Sequence, residues 1–221
     1  MKNNLTLVIG NKNYSSWSLR PWLALKQAKA PFREVRIPIH QKGSGKKIDS
    51  YSKAGRVPIL FDGKVKVWES LAICEYAAEK FPQARLWPAD PASRAEARAV
   101  ANEMHAGFVN LRRHMPMNCR ASIPLKKLPA PVQADVNRVT SIWKECRNRY
   151  GKKGPFLFGA FTAADAMYAP ICLRFRTYGV KLDPVSRAYA ESVLSLPAVR
   201  EWVAAARREK EIIPDLEVKP S

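Results

Sequence analysis

Along the first 80 positions the spacing of apolar residues changes repeatedly, and each change marks an element. Leu5 to Ile9 forms an apolar block that reads as a strand. Leu19, Trp22, Leu23, Leu25 and Ala28 then make an amphipathic stretch, a helix that Ala30-Pro31 stops. Phe32, Val35, Ile37 and Ile39 predict a second strand. The Lys/Gly/Ser-rich run from Gln41 to Ala54 carries no period and reads as an irregular connection. Val57–Phe61 and Val65–Val67 flank Asp62-Gly63, a two-residue hairpin signal. Glu69-Ser70 opens a helix holding Leu71, Ala72, Cys74, Ala77 and Ala78, and Phe81-Pro82 ends it. The predicted order is β-α-β, an irregular segment, then β-β-α.

Residues 81–92 (FPQARLWPADPA) hold three prolines and no periodicity, as a linker does. Everything beyond reads as helical. Val100, Met104, Phe108, Leu111 and Met115 form one long apolar stripe, and Val132, Val136, Val139, Ile142, Trp143 and Cys146 repeat it. Thr162-Ala-Ala-Asp165 resembles a capping box ahead of Met167, Tyr168, Ile171 and Cys172, and Val199, Trp202, Val203 and Ala206 supply a last apolar face. The pattern divides the chain into a mixed α/β domain over 1–82, a linker over 83–91 and an all-helical domain over 92–221.

Composition narrows the function classes. The chain has 221 residues, 47% hydrophobic and 26% charged, ordinary values for a soluble globular protein. No apolar run approaches the ~18 residues that span a bilayer, and Leu5–Ile9 is too short for a secretory signal. Cys74, Cys119, Cys146 and Cys172 are scattered without a CxxC pair, so neither a disulfide framework nor a metal site is expected, and a cytoplasmic location is. The charge is unusual: Lys+Arg of 38 against Asp+Glu of 19 gives +19. The excess is spread along the chain without interleaved aromatics, which reads as a solvated basic surface rather than a specific nucleic-acid or membrane site.

Candidate chemistry gathers where strands meet helices. Ser15, Ser16 and Ser18 lie between the first strand and the first helix, where free N–H groups and the helix dipole favour an anion. Their plainer role is to cap that helix. Pro58 at a strand start reads alone as an ordinary trans turn proline, yet it turns the N–H and C=O of Val57 outward toward an extended peptide. Glu69-Ser70 serves as a cap with a helix-favourable acid; together the pair also suits an α-amino acid head, Glu69 accepting from the amine while Ser70 and free N–H groups hold the carboxylate.

Taken in order, the β-α-β unit, GRVPIL, the hairpin, WESLAICEYAAEKFP, the proline linker and the helical tail resemble the cytosolic glutathione transferases over the whole chain. Ser15-Ser16-Trp17-Ser18-Leu19-Arg20 is similar to the SSCSWR motif of their serine-type zeta class, pointing to a zeta-like bacterial branch. The resemblance implies a thioredoxin-like domain that binds glutathione and a helical domain that holds a small electrophile, in a cytoplasmic homodimer serving detoxification, without metal. It implies that Ser15, or Ser16 one position on, donates a hydrogen bond to the glutathione sulfur. Arg56 and Val57, beside a cis Pro58, would line the tripeptide, and Glu69 and Ser70 would hold its γ-glutamyl end. Arg20 reads as a structural salt bridge, and the Thr162/Asp165 box as a stability element. Trp17 stands where the family motif has cysteine, which argues against a mixed-disulfide mechanism and weakens the zeta-class isomerase reaction. Met104, Phe108 and Met115 read as helix–helix core, but the resemblance sets this helix beside the cleft. Trp17, Met104, Phe108, Arg112 and Arg176 are the candidate electrophile contacts, and for an isomerase either Arg174 or Arg176 would bind a dicarboxylate. Transferase, glutathione-dependent isomerase and peroxidase activities stay open, as does a non-catalytic binding protein that uses the basic surface.

Overall fold

The computed structural model describes residues 5–218. Strands β1 (Leu5–Ile9), β2 (Arg33–Arg36), β3 (Ile59–Asp62) and β4 (Val65–Trp68) form one sheet in the order β2-β1-β3-β4, β2 parallel to β1 and the others antiparallel. Leu5, Leu7 and Ile9 face the larger core, whereas Val8 packs with Ile37, Ile48 and Ile59 on the opposite side. Burial on both faces explains why β1 is a continuous apolar block rather than an alternation. Helices α1 (Ser16–Gln27) and α3 (Ser70–Lys80) pack together on the larger-core side.

Three local expectations change. The connection over 41–54 contains a helix, α2 (Ser44–Tyr51), introduced by Gly43 at φ 85°. It buries only Ile48, too few apolar positions to display a helical period. In the hairpin Asp62 pairs with Val65, so the loop is Gly63-Lys64, one position later than predicted, with Gly63 at φ 57°. The long stripe through Val100 and Met115 belongs to two helices, α4 (Pro91–Ala106) and α5 (Val109–His114). Between them Phe108 takes φ 58°, and a Cβ on Gly107 would lie 2.8 Å from the Glu103 carbonyl oxygen.

The helical half continues with α6 (Ala130–Tyr150), α7 (Ala163–Thr177), α8 (Pro184–Ser195) and α9 (Pro197–Arg208). Helix α7 is buried almost all round, packing on α1, α4 and α8. The capping box forms: Asp165 accepts from the Thr162 N–H at 2.7 Å and its hydroxyl at 2.9 Å, and from the Leu157 N–H at 3.0 Å. After α9 the chain returns across the sheet end, where Glu209 accepts from the N–H groups of Lys12 (2.8 Å) and Asn13 (3.0 Å). No described helix is long and apolar enough to cross a membrane.

Candidate active site

The loop after β1 delivers Ser15 to the N-cap of α1, where its hydroxyl accepts from the Ser18 N–H at 3.3 Å. The Ser15 and Ser18 hydroxyl oxygens lie 2.8 Å apart, and Ser18 also accepts from the Gly10 N–H at 3.1 Å. Ser16 accepts from the Arg174 guanidinium at 3.2 Å. Ser15 and Ser16 open on a cleft of about 420 Å³ shared with Tyr14, Trp17, Ile39, His40, Arg112 and Arg174. The helix dipole and the basic side chains give this cleft a positive field.

A second cleft, of about 450 Å³, is lined by Arg56, Val57, Pro58, Glu69 and His105, and shares Trp17 with the first. The Val57–Pro58 bond is cis, not the trans turn that the residues alone suggest. Glu69 precedes α3 at φ 70° and ψ 129°, a backbone conformation that a non-glycine residue holds where its surroundings over-determine it, often at functional sites. Ser70 lies below the cleft surface, fully buried, with a hydroxyl that has no partner among the described residues. The His105 Nε2 is 3.8 Å from a Glu69 carboxylate oxygen. Burial and the nearby Arg20 push the His105 pKa down and outweigh Glu69, so the ring is neutral at pH 7.

Trp17 joins the clefts and is itself held by cations. The Arg20 and Arg112 guanidinium carbons lie 4.3 and 4.7 Å from its ring centroid, and His105 meets it edge-on at 5.3 Å. Arg20 was expected to form a salt bridge; instead it is buried on Trp17, with no acidic partner among the described residues. Burial, together with Arg112 and Arg174, lowers its pKa to about 9. Arg174 is likewise lowered to about 10, mainly by burial, and its Nε has no partner. Arg112 donates to the carbonyls of His105 (3.3 Å) and Gly107 (3.1 Å), so the break between α4 and α5 fixes its direction.

The structure therefore brings Ser15, Ser16, Trp17 and Arg112 to one cleft and Arg56, Val57, Pro58 and Glu69 to its neighbour. Met104 is fully buried and Phe108 nearly so; both serve the core and line neither cleft. Arg176 is exposed and lines neither, whereas Arg174 does, because residues two apart on a helix point in nearly opposite directions. Tyr14, His40 and Leu216 line the serine cleft without having been singled out. Tyr14 adjoins the serine motif and was open to notice. Leu216 arrives on an aperiodic strap tied down where Glu217 accepts from the Tyr14 hydroxyl and from Asn118. The four cysteines are buried free thiols, with the Cys74 pKa raised by burial to about 12, and no group that could hold a metal ion occurs among the described residues.

Comparison with known proteins bears on the family of this fold. The family model for the glutathione S-transferase N-terminal domain matches residues 14–80, and that for the C-terminal domain matches 129–205. A probable maleylacetoacetate isomerase from Caenorhabditis elegans is 39% identical over 94 residues, 42% of either protein. The glutathione S-transferase GstB of Escherichia coli K12 is 25% identical over 200 residues, covering 85% of this chain and 96% of that protein. A glutathione transferase homologue from Burkholderia, crystallised with bound glutathione, superimposes with a TM-score of 0.70 at 23% identity, covering 92% of this chain and 98% of that one. With both domain models matched in order on a chain of this fold, the protein belongs to the cytosolic glutathione S-transferase superfamily.

Proposed function

We propose that this protein is a serine-type glutathione transferase in which Ser15 holds the sulfur of glutathione as a thiolate for attack on a small electrophile. A free thiol has a pKa of about 8.5 and is mostly protonated at neutral pH, whereas only the thiolate attacks. A hydroxyl donor at the positive end of α1, in a cleft rich in arginine, favours the charged form. The observation that carries the reading is the shared wall: Trp17 joins the serine cleft to the one lined by Val57 and Glu69. One extended tripeptide then reaches both, its backbone beside Val57, its amine on Glu69, and its carboxylate at the α3 N-terminus near the unpartnered Ser70 hydroxyl. Exposed Val65 and Trp68 on edge strand β4 support pairing with a second copy. The reading also takes the protein to be cytoplasmic, with domains over 1–82 and 92–221.

Absorbance titration of bound glutathione tests the assignment. Thiolate is expected at neutral pH, and Ser15→Ala should raise the bound thiol pKa by about one to two units, each worth ~1.4 kcal/mol. An unchanged thiol pKa and rate in that variant would reject Ser15.

A second reading, glutathione-dependent cis-trans isomerisation of a maleylacetoacetate-type dicarboxylate, is favoured by one feature. Arg112, Arg113, Arg174 and His40 line the serine cleft with no acidic residue among its lining. Such a surface suits an anionic second substrate.

A further inference from the structure

The identity of the thiolate donor turns on the hydroxyl behind it. Ser18 is fully buried, and its oxygen already accepts the Gly10 N–H at 3.1 Å. Its other partner is the Ser15 oxygen at 2.8 Å. The two serines thus carry two hydroxyl protons and one mutual hydrogen bond, which leaves one proton over. If Ser15 donates to Ser18, the spare proton belongs to Ser18, buried where it has no second acceptor among the described residues. If Ser18 donates to Ser15, the spare proton belongs to Ser15, which lines the cleft. In that state the Ser15 oxygen accepts both the hydroxyl and the N–H of Ser18, the latter at 3.3 Å, and its own proton must point elsewhere.

We propose that Ser18 is the positioning residue for the thiolate donor. Ser18 donates to Ser15, which leaves the Ser15 proton to point into the cleft and donate to the sulfur. No proton leaves either serine. This orientation leaves no buried hydroxyl proton unsatisfied, and accepting two donors makes Ser15 the stronger donor in turn. Gly10 completes the device: a Cβ there would lie 3.2 Å from the Ser15 Cβ and 3.3 Å from its Oγ, so glycine lets β1 press against Ser15 and hold it in register. Ser16 has Arg174 as its hydrogen-bond partner and no such hydroxyl, which separates the two adjacent serines. This inference rests on the reading of Ser15 as the thiolate donor.

A double-mutant cycle on the full-length protein with bound glutathione tests it, reading the thiol pKa by absorbance and KM and kcat with a neutral chlorinated aromatic. Ser18→Ala should raise the bound thiol pKa by about one unit, a roughly tenfold loss of thiolate at neutral pH. The KM for glutathione should stay within about twofold while kcat falls, because the group acts on the sulfur rather than on peptide binding. Adding Ser18→Ala to Ser15→Ala should change the thiol pKa no further, since Ser18 acts only through Ser15. Ser18→Cys, nearly isosteric and a weaker donor, should give an intermediate shift and carries the test if the alanine variant does not fold. An unchanged thiol pKa in Ser18→Ala or Ser18→Cys, or a further shift in the double variant, would overturn the inference. If Ser15→Ala alone has no effect, the parent reading fails first, and any Ser18 shift against that background marks a purely structural effect.

Discussion

Trp17 is the residue on which the two clefts depend, and its neighbours are cations. Arg20, buried and without a carboxylate, is stabilised by the indole ring and held near two other arginines despite their repulsion. Such a cluster attracts an anion, and Arg174, with an unpartnered Nε, lines the serine cleft where Arg20 does not. Replacing Arg174 by Gln should raise the KM for a carboxylate-bearing electrophile such as maleylacetone by about tenfold or more, the scale of a lost charged hydrogen bond. The KM for a neutral chlorinated aromatic should stay within about twofold. Equal losses on both substrates would assign Arg174 to scaffolding, and absence of maleylacetone turnover at any glutathione level would remove the isomerase reading. At this scale Ser15, Val57 and Glu69 were legible because each belongs to a short motif with a backbone reason. Arg174 against Arg176 was not, since α7 is apolar on nearly every side and its periodicity hides which arginine turns inward.

Among the elements, α7 carries the heaviest structural demand, and its N-terminus depends on one carboxylate. Asp165 accepts from the Thr162 N–H and hydroxyl and from the Leu157 N–H while fully buried. Burial raises its pKa to about 6 against the lowering effect of those donors. Asp165→Ala leaves three donors unsatisfied and should cost about 3 kcal/mol, combining a lost cap with buried unpaired groups. Chemical denaturation checks this; a loss below ~1 kcal/mol, the scale of an exposed cap, would contradict it. This cap was readable because its spacing is local. Helix α2 was not, because one buried isoleucine shows no period. The break at Gly107–Phe108 was hidden for the opposite reason: Met104, Phe108 and Leu111 keep helical spacing across it, while the backbone turns aside to aim Arg112.

Across the whole molecule, the clefts lie where the sheet's loops meet the helical half, and the strap over 209–217 closes one side through Glu209, Glu217 and Leu216. The order of elements was legible in the sequence, since each strand and helix needs an apolar pattern of its own to be buried. The strap was not, because it is secured by long-range polar contacts rather than by periodicity. The net charge of +19 is opposite in sign to an anionic tripeptide, and long-range attraction of that ligand follows from the sign. A crystal structure with glutathione bound is the most direct test of this assignment. The account predicts the sulfur within hydrogen-bond distance of the Ser15 hydroxyl, the tripeptide backbone beside Val57 and the γ-glutamyl amine on Glu69. Clefts left empty at saturating glutathione, or a sulfur far from both Ser15 and Ser16, would contradict it.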